Sequence, residues 1–253
     1  MSRQIVSVAD GFWNIRGRFK IAGLLDVGTQ CSLARLSTGR YVLLDACAFD
    51  DEIARKVAEL TEGGKLLDAI LHLHPFHTVH VKDAAERFPE AKLYGTSRHH
   101  ARFPELSWEP EQTQTPEFAA LFAEDFDFMV PDGVDFVPAN ENLHFSSVLA
   151  FHRASRTLHV DDTLNWIPVP LLKGIAFHPT LAKTLERRRG AAQAFREWAK
   201  GLVERCRDVD VICTAHARLA GDDGKPGGRI SDAVQRALEK VEKTLKAHER
   251  KYG

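Results

Sequence analysis

Residues 71–80 read LHLHPFHTVH and carry four of the chain's twelve histidines, His72, His74, His77 and His80. They stand where the apolar run LLDAILHL, read as a buried strand, gives way to a helix. One face of that helix is marked by Val81, Ala84, Ala85 and Phe88, and it stops at Pro89. On extended backbone His72 and His74 are two residues apart, so both point to one face. His77 follows a turn and can fold back toward them. Imidazoles converging at a strand end form the nucleus of a zinc or iron site, because neutral imidazole is a good ligand for both. An ion of this kind takes about four ligands, so the others must come from distant sequence. That requirement constrains the fold, which has to bring several strand ends together. Layered α/β arrangements do so, since their functional loops lie at strand ends.

Candidates for the missing ligands each lie at the end of an expected strand. They are His144 at the start of an apolar strand, Asp161 or Asp162 after the strand 157–160, and His216 after the strand VDVICT. The rest of the chain supplies suitable elements. Short, alternating or β-branched segments (IVSVADGFWNIRG, TQCSLARLSTG, YVLLDA) open it. A helix follows, with Asp50 and Asp51 at its start, Ile53, Val57 and Leu60 on one face, and Gly63-Gly64 at its end. Residues 98–124 read as loop with one short helix near 117–122, and 126–160 as a second strand-rich stretch. Two helical stripes close the chain, the second at about 229–250. Strands with interspersed helices, in two similar passes, predict two packed sheets with helices outside. No linker divides the chain, so a single domain over 1–253 is expected.

The stretches, taken in order, resemble the metallo-β-lactamase superfamily. SLARLSTGRYVLLDACAFDDE resembles its opening hairpin, which ends in an Asp and leads into the first helix. ILHLHPFHTVHVKDAAERFPEAKLYGT resembles its H-x-H-x-D-H motif, LHFSSVLAFHRASRTLHVDDTL its second histidine hairpin and Gly-Asp strand end, and VDVICTAHARLA its last strand and terminal His. The resemblance implies an αββα sandwich with one or two metals at one edge of its sheets. It further implies that His72, His74 and His144 bind a first ion, that His77 and His216 belong to a second, and that Asp162 bridges both. Asp161 takes the place of the family's Gly. One position departs: the motif Asp is Phe76, which can neither bind an ion nor accept a hydrogen bond from a metal-bound hydroxide. The expectation is therefore one tight ion and a weak second site, with His80 as a partial substitute ligand or an exposed helix residue.

On this basis the chain reads as a metal-dependent hydrolase, zinc-loaded, with Asp162 and His216 in the catalytic set. Esters, lactones or thioesters are favoured because hydroxide orientation without the motif Asp should be poorer. Two alternatives stand beside it. One is an iron persulfide-dioxygenase-like oxidoreductase using His72, His144 and Asp162. The other is a degenerate scaffold of the same fold. Trp166 and His178, in a loop expected to overhang the site, are candidate substrate contacts. Arg187-Arg188-Arg189 reads as a solvated face, and Arg98-His99-His100 as exposed. Composition narrows the partners. With 34 Lys+Arg against 35 Asp+Glu the net charge is −1, which lacks the basic excess of a nucleic-acid binder. No apolar run approaches the ~20 residues that cross a bilayer, and the opening residues lack a signal-peptide pattern. Four scattered cysteines read as free thiols. A cytoplasmic protein acting on a small molecule is expected.

Overall fold

The computed structural model describes residues 4–17, 20–21, 25–26, 28–167, 174–215 and 228–253. Gly11, at φ +71°, turns β1 (Gln4–Ala9) back along β2 (Phe12–Gly17), a backbone conformation that glycine adopts without strain. A small hairpin of β3 (Lys20–Ile21) and β4 (Leu25–Asp26) precedes β5 (Thr29–Arg35) and β6 (Tyr41–Leu44), which pair antiparallel. Helix α1 (Asp51–Thr61) starts where the Asp50 carboxylate accepts the Ile53 N–H at 3.0 Å, satisfying one of its unpaired first-turn donors. It then crosses back to β7 (Leu67–Leu71), and α2 (Val81–Arg87) crosses again to β8 (Lys92–Tyr94). These crossovers make β6, β7 and β8 parallel.

Two short helices, α3 (Ser97–Arg102) and α4 (Pro116–Leu121), lead to β9 (Phe126–Met129). Strands β10 (Leu149–His152), β11 (Thr157–Val160), β12 (Leu164–Ile167) and β13 (Gly174–Phe177) follow. The chain ends with α5 (Leu181–Thr184), α6 (Ala191–Arg205), β14 (Val211–Thr214) and α7 (Ile230–Tyr252). Among the described residues one sheet runs β1-β2-β5-β6-β7-β8 and the other β14-β11-β10-β9.

Three apolar layers explain the sandwich. Phe12, Val42, Leu44, Ala69 and Leu71 meet Val148, Ala150, Val211 and Cys213 between the sheets. Ile53 and Val57 of α1 with Ala84 of α2 cover the outer face of the first sheet at Leu33, Leu43 and Ile70. Phe195, Ala199 and Leu202 of α6 with Val234, Leu238 and Leu245 of α7 cover the second at Leu149, Phe151, Leu158 and Ile212. This is an αββα sandwich. Parallel strands β6, β7, β11 and β14 point their C-terminal ends to one edge, where Asp45, His72 and Asp161 directly follow their strands.

The structure departs from the sequence reading at several points. The 98–124 loop opens with α3, because the His99 ring takes the place a Glu usually fills in a capping box, with Nδ1 3.2 Å from the Thr96 N–H. Asn165 to Ile167, read as loop, belong to β12 and pair with β13. His144 precedes β10 in irregular chain rather than beginning the strand. All four cysteines are buried and free, and the Sγ atoms of Cys31 and Cys47 are 3.0 Å apart. No helix among the described residues is long and apolar enough to cross a membrane.

Candidate metal centre

Asp45 founds the site. It follows β6 in the left-handed region, φ +57°, which Asp adopts more readily than most side chains. From there its Oδ1 accepts the N–H of Leu73 at 2.9 Å and that of His74 at 3.4 Å. The backbone of the histidine segment is thereby fastened to the end of the neighbouring strand. The Leu73 carbonyl accepts the Val148 N–H at 2.9 Å, which ties the segment across to the second sheet and sets His144 nearby.

Three imidazoles converge on one carboxylate oxygen. Asp162 Oδ2 lies 3.3 Å from His74 Nε2, 3.8 Å from His77 Nε2 and 3.9 Å from His144 Nδ1. The His74 and His77 rings stack with centroids 4.0 Å apart. His74 and Asp162 are buried, while His77 and His144 side chains are 19% and 41% exposed and face the opening. Tetrahedral ligands held at about 2.0–2.2 Å stand roughly 3.3–3.6 Å from one another. The distances to Asp162 match that or exceed it by tenths of an ångström. His74, His77 and Asp162 have ligand atoms all within 4.8 Å of one another, with His144 at the margin of this group. His74 Nε2 is buried, and the Asp162 carboxylate 3.3 Å away is the charged group it faces. The residues present therefore fit a first-row divalent ion. The His144 ring is oriented by the contact of its Nε2 with the Glu141 carbonyl, which leaves Nδ1 toward Asp162. For His74 the Phe76 N–H lies 3.1 Å from Nδ1. Coordination through Nε2 would place the ring proton on Nδ1, where it would face the Phe76 N–H.

Other residues of the sequence reading fall elsewhere. His72 does not join the donor set. Its N–H extends the β7–β8 pairing to the Tyr94 carbonyl at 2.8 Å, and its ring packs against His99 and Trp108, with centroids 5.1 and 5.7 Å away. Burial there lowers its pKa to about 4. The oxidoreductase set built on His72 is accordingly not assembled. His99, read as exposed, is fully buried, and Arg98 is only 17% exposed. His80 begins α2 and pairs with Asp83 at 3.0 Å, outside the set. Trp166 lies in the outer core, 8% exposed, because β12 carries it inward. His178 Nδ1 is 2.7 Å from the Thr180 hydroxyl, which donates to the His144 carbonyl at 2.9 Å. It borders the site without joining it. His216 lies outside the described residues.

Phe76 forms one wall. Its ring stacks on His144 at 4.8 Å and 11°, and the Arg98 guanidinium lies over it at 4.6 Å. Arg98 is held by Glu141 at 2.7 Å.

Behind His77 lies a second group that sequence reasoning had not assembled. Asp161 Oδ1 is 3.8 Å from His77 Nδ1, and His159 Nε2 is 3.3 Å from Asp45 Oδ2 and 3.8 Å from Asp161 Oδ2. Burial alone would depress both imidazoles, but Asp161, with Asp162, raises His77 to about 9, and Asp161 with Asp45 raises His159 to about 9. Burial would raise Asp161, yet the charges on His77 and His159 hold it well below the usual carboxylate range. Asp45 is pushed up by burial and by the charge of Asp161. The one sequence signal was a histidine inside the apolar strand 157–160.

No family model matches the chain, and no curated protein matches it in sequence. Solved structures do. The DIM-1 metallo-β-lactamase exposed to ceftazidime superposes with a TM-score of 0.63 at 12% identity, covering 95% of this chain and 98% of that one. A metallo-β-lactamase from Erythrobacter litoralis gives 0.60 at 15% identity, with 94% and 96% covered. FIM-1 from Pseudomonas aeruginosa, in its mono-zinc form, gives 0.57 at 11% identity, with 95% and 96% covered.

Proposed function

From a chain with the metallo-β-lactamase fold and a His/Asp cluster at the edge of its sheets, we propose a metal-dependent hydrolase acting on a small, intrinsically reactive ester, lactone or thioester. The observation that carries this reading is the convergence of His74, His77 and His144 on Asp162 Oδ2. These four would hold a zinc ion, with His216 as the further ligand that the family resemblance implies. Such an ion supplies a water of pKa lowered toward ~7 and polarises a carbonyl oxygen.

The chain's own residues account for the rest. Asp45 fixes the histidine backbone, Glu141 orients His144, and Asp162 supplies the negative charge of the donor set. The Phe76 ring and the Arg98 guanidinium over it wall one side. Without a carboxylate at position 76 to orient the attacking water, a good leaving group is needed, and amides are disfavoured. Metal-stripped protein should be inactive on a panel of aryl esters, lactones and thioesters, and zinc should restore turnover of at least one class. Asp162→Asn should not be restored. Equal turnover with and without zinc, or full activity in Asp162→Asn, overturns the assignment.

A further inference from the structure

Two adjacent acidic residues, Asp161 and Asp162, address the two nitrogens of one imidazole. His77 Nε2 lies 3.8 Å from Asp162 Oδ2, and His77 Nδ1 lies 3.8 Å from Asp161 Oδ1. Successive side chains at the end of a strand point to opposite sides, so one ring lying across the strand end can meet both. Asp161 is wholly buried, and neither of its oxygens has a hydrogen-bond partner. A buried carboxylate in that state is costly, and a proton on the facing ring nitrogen offsets the cost.

The groups around Asp161 fix it from behind. His159 Nε2 stands 3.8 Å from its Oδ2, and His159 Nδ1 is 3.0 Å from the Ser32 hydroxyl. Ser32 Oγ in turn accepts from Asn14 Nδ2 at 3.0 Å. Asp45, across from His159, is anchored by the Leu73 and His74 N–H groups. His159 and Asp45 are thus held by the β-sheets on the side of Asp161 away from His77.

We propose that Asp161 is a positioning residue: its carboxylate faces Nδ1 of His77, keeps the ring proton on that nitrogen, fixes the ring's tautomer and tilt, and so would present Nε2 to an ion held beside Asp162. The two acids then have separate tasks, Asp162 as ligand and Asp161 as the partner that orients one. Partners of this kind usually account for about 10–100-fold in metal affinity. This inference rests on the proposed metal site, and its test separates the two.

The test uses the full chain labelled with ¹⁵N-histidine, as wild type, Asp161→Asn and Asp161→Gly. Zinc affinity is measured by chelator competition, and the His77 ring by long-range ¹H–¹⁵N correlation. The expected result is an Nδ1-protonated His77 in zinc-loaded wild type. Zinc should bind about 10–100-fold more weakly to Asp161→Gly. Asp161→Asn, which keeps an acceptor but loses the charge, should fall between them. The ring signals of His77 should move in the variants while those of His144 stay. Unchanged affinity and an unchanged His77 spectrum in Asp161→Gly overturn the inference. If wild type takes up no zinc, the metal-site reading fails, and the metal-free spectra still decide this one. A His77 ring whose nitrogen signals are indifferent to Asp161→Gly rejects it, and ring nitrogen signals that move in that variant support it.

Discussion

Replacing Phe76 by alanine removes the ring that stands between His144 and Arg98. His144 lies in irregular chain ahead of β10, so nothing in a helix or strand ladder fixes its side chain. Its ring is held by the Glu141 carbonyl on one side and by the parallel stack on Phe76, at 4.8 Å and 11°, on the other. An aromatic pair contributes about 0.5–1.5 kcal/mol beyond area burial. If that energy holds the ligand ring in its binding orientation, its loss appears in zinc affinity as roughly a 2–10-fold weakening, since about 1.4 kcal/mol corresponds to tenfold. The Arg98–Phe76 contact at 4.6 Å adds about 0.5–1 kcal/mol of cation–π attraction to stability. With the ring only partly buried, the total loss of stability for Phe76→Ala should be about 1–3 kcal/mol. Phe76→Leu keeps most of the apolar bulk without a π face, so it should lose less stability while weakening zinc by a similar factor. Chelator-competition titration and urea unfolding of the two variants read both quantities. A Phe76→Leu protein that binds zinc as wild type does would show that the stack does not position His144.

His72→Phe should leave zinc affinity nearly unchanged, because its ring packs on His99 and Trp108 outside the donor set. His72 is held at about 4 in the folded chain against 6.5 ordinarily. The unfolded chain therefore binds its proton first, and stability falls as pH drops from about 6.5 to 4, by about 3 kcal/mol from this group. Urea unfolding of metal-free protein at pH 7 and pH 4.5 should show part of that loss vanish in His72→Phe, and an identical loss in both proteins would refute the assignment. Phe76→Asp restores a hard oxygen beside His77 and Asp162, so a second zinc should bind more tightly than in wild type. Zinc titration checks this, and an unchanged second ion would count against the placement of residue 76. Leu245→Ala, at a fully buried position where α7 covers the second sheet, should cost about 2–5 kcal/mol in urea unfolding, with zinc binding retained.

Much of the architecture was legible in apolar periodicity. Stripes such as Ile53-Val57-Leu60 and Ile230-Val234-Leu238 have no other efficient use, and the short strands between them had to pack. The donor set was legible where residues stand at strand ends, as His74, His77 and Asp162 do. His72 misled because strand alternation says which face a side chain takes and nothing of what packs on that face. Here α3 and Trp108 fill it. His99 was hidden in a run of basic letters, and its burial comes from capping a helix that no Glu announced. His159 sits between Leu158 and Val160 in a strand buried on both faces. Its partners, Asp45 and Ser32, come from the opposite sheet and have no local signature.

The central claim is that a divalent ion sits among His74, His77, His144 and Asp162. Its most direct test is zinc titration of metal-stripped protein, wild type against Asp162→Asn. Wild type should take up at least one tight equivalent. The variant should stay folded and lose that affinity by more than the roughly 10–100-fold typical of residues that only support a ligand. No tight zinc in wild type, or equal affinity in Asp162→Asn, would contradict it.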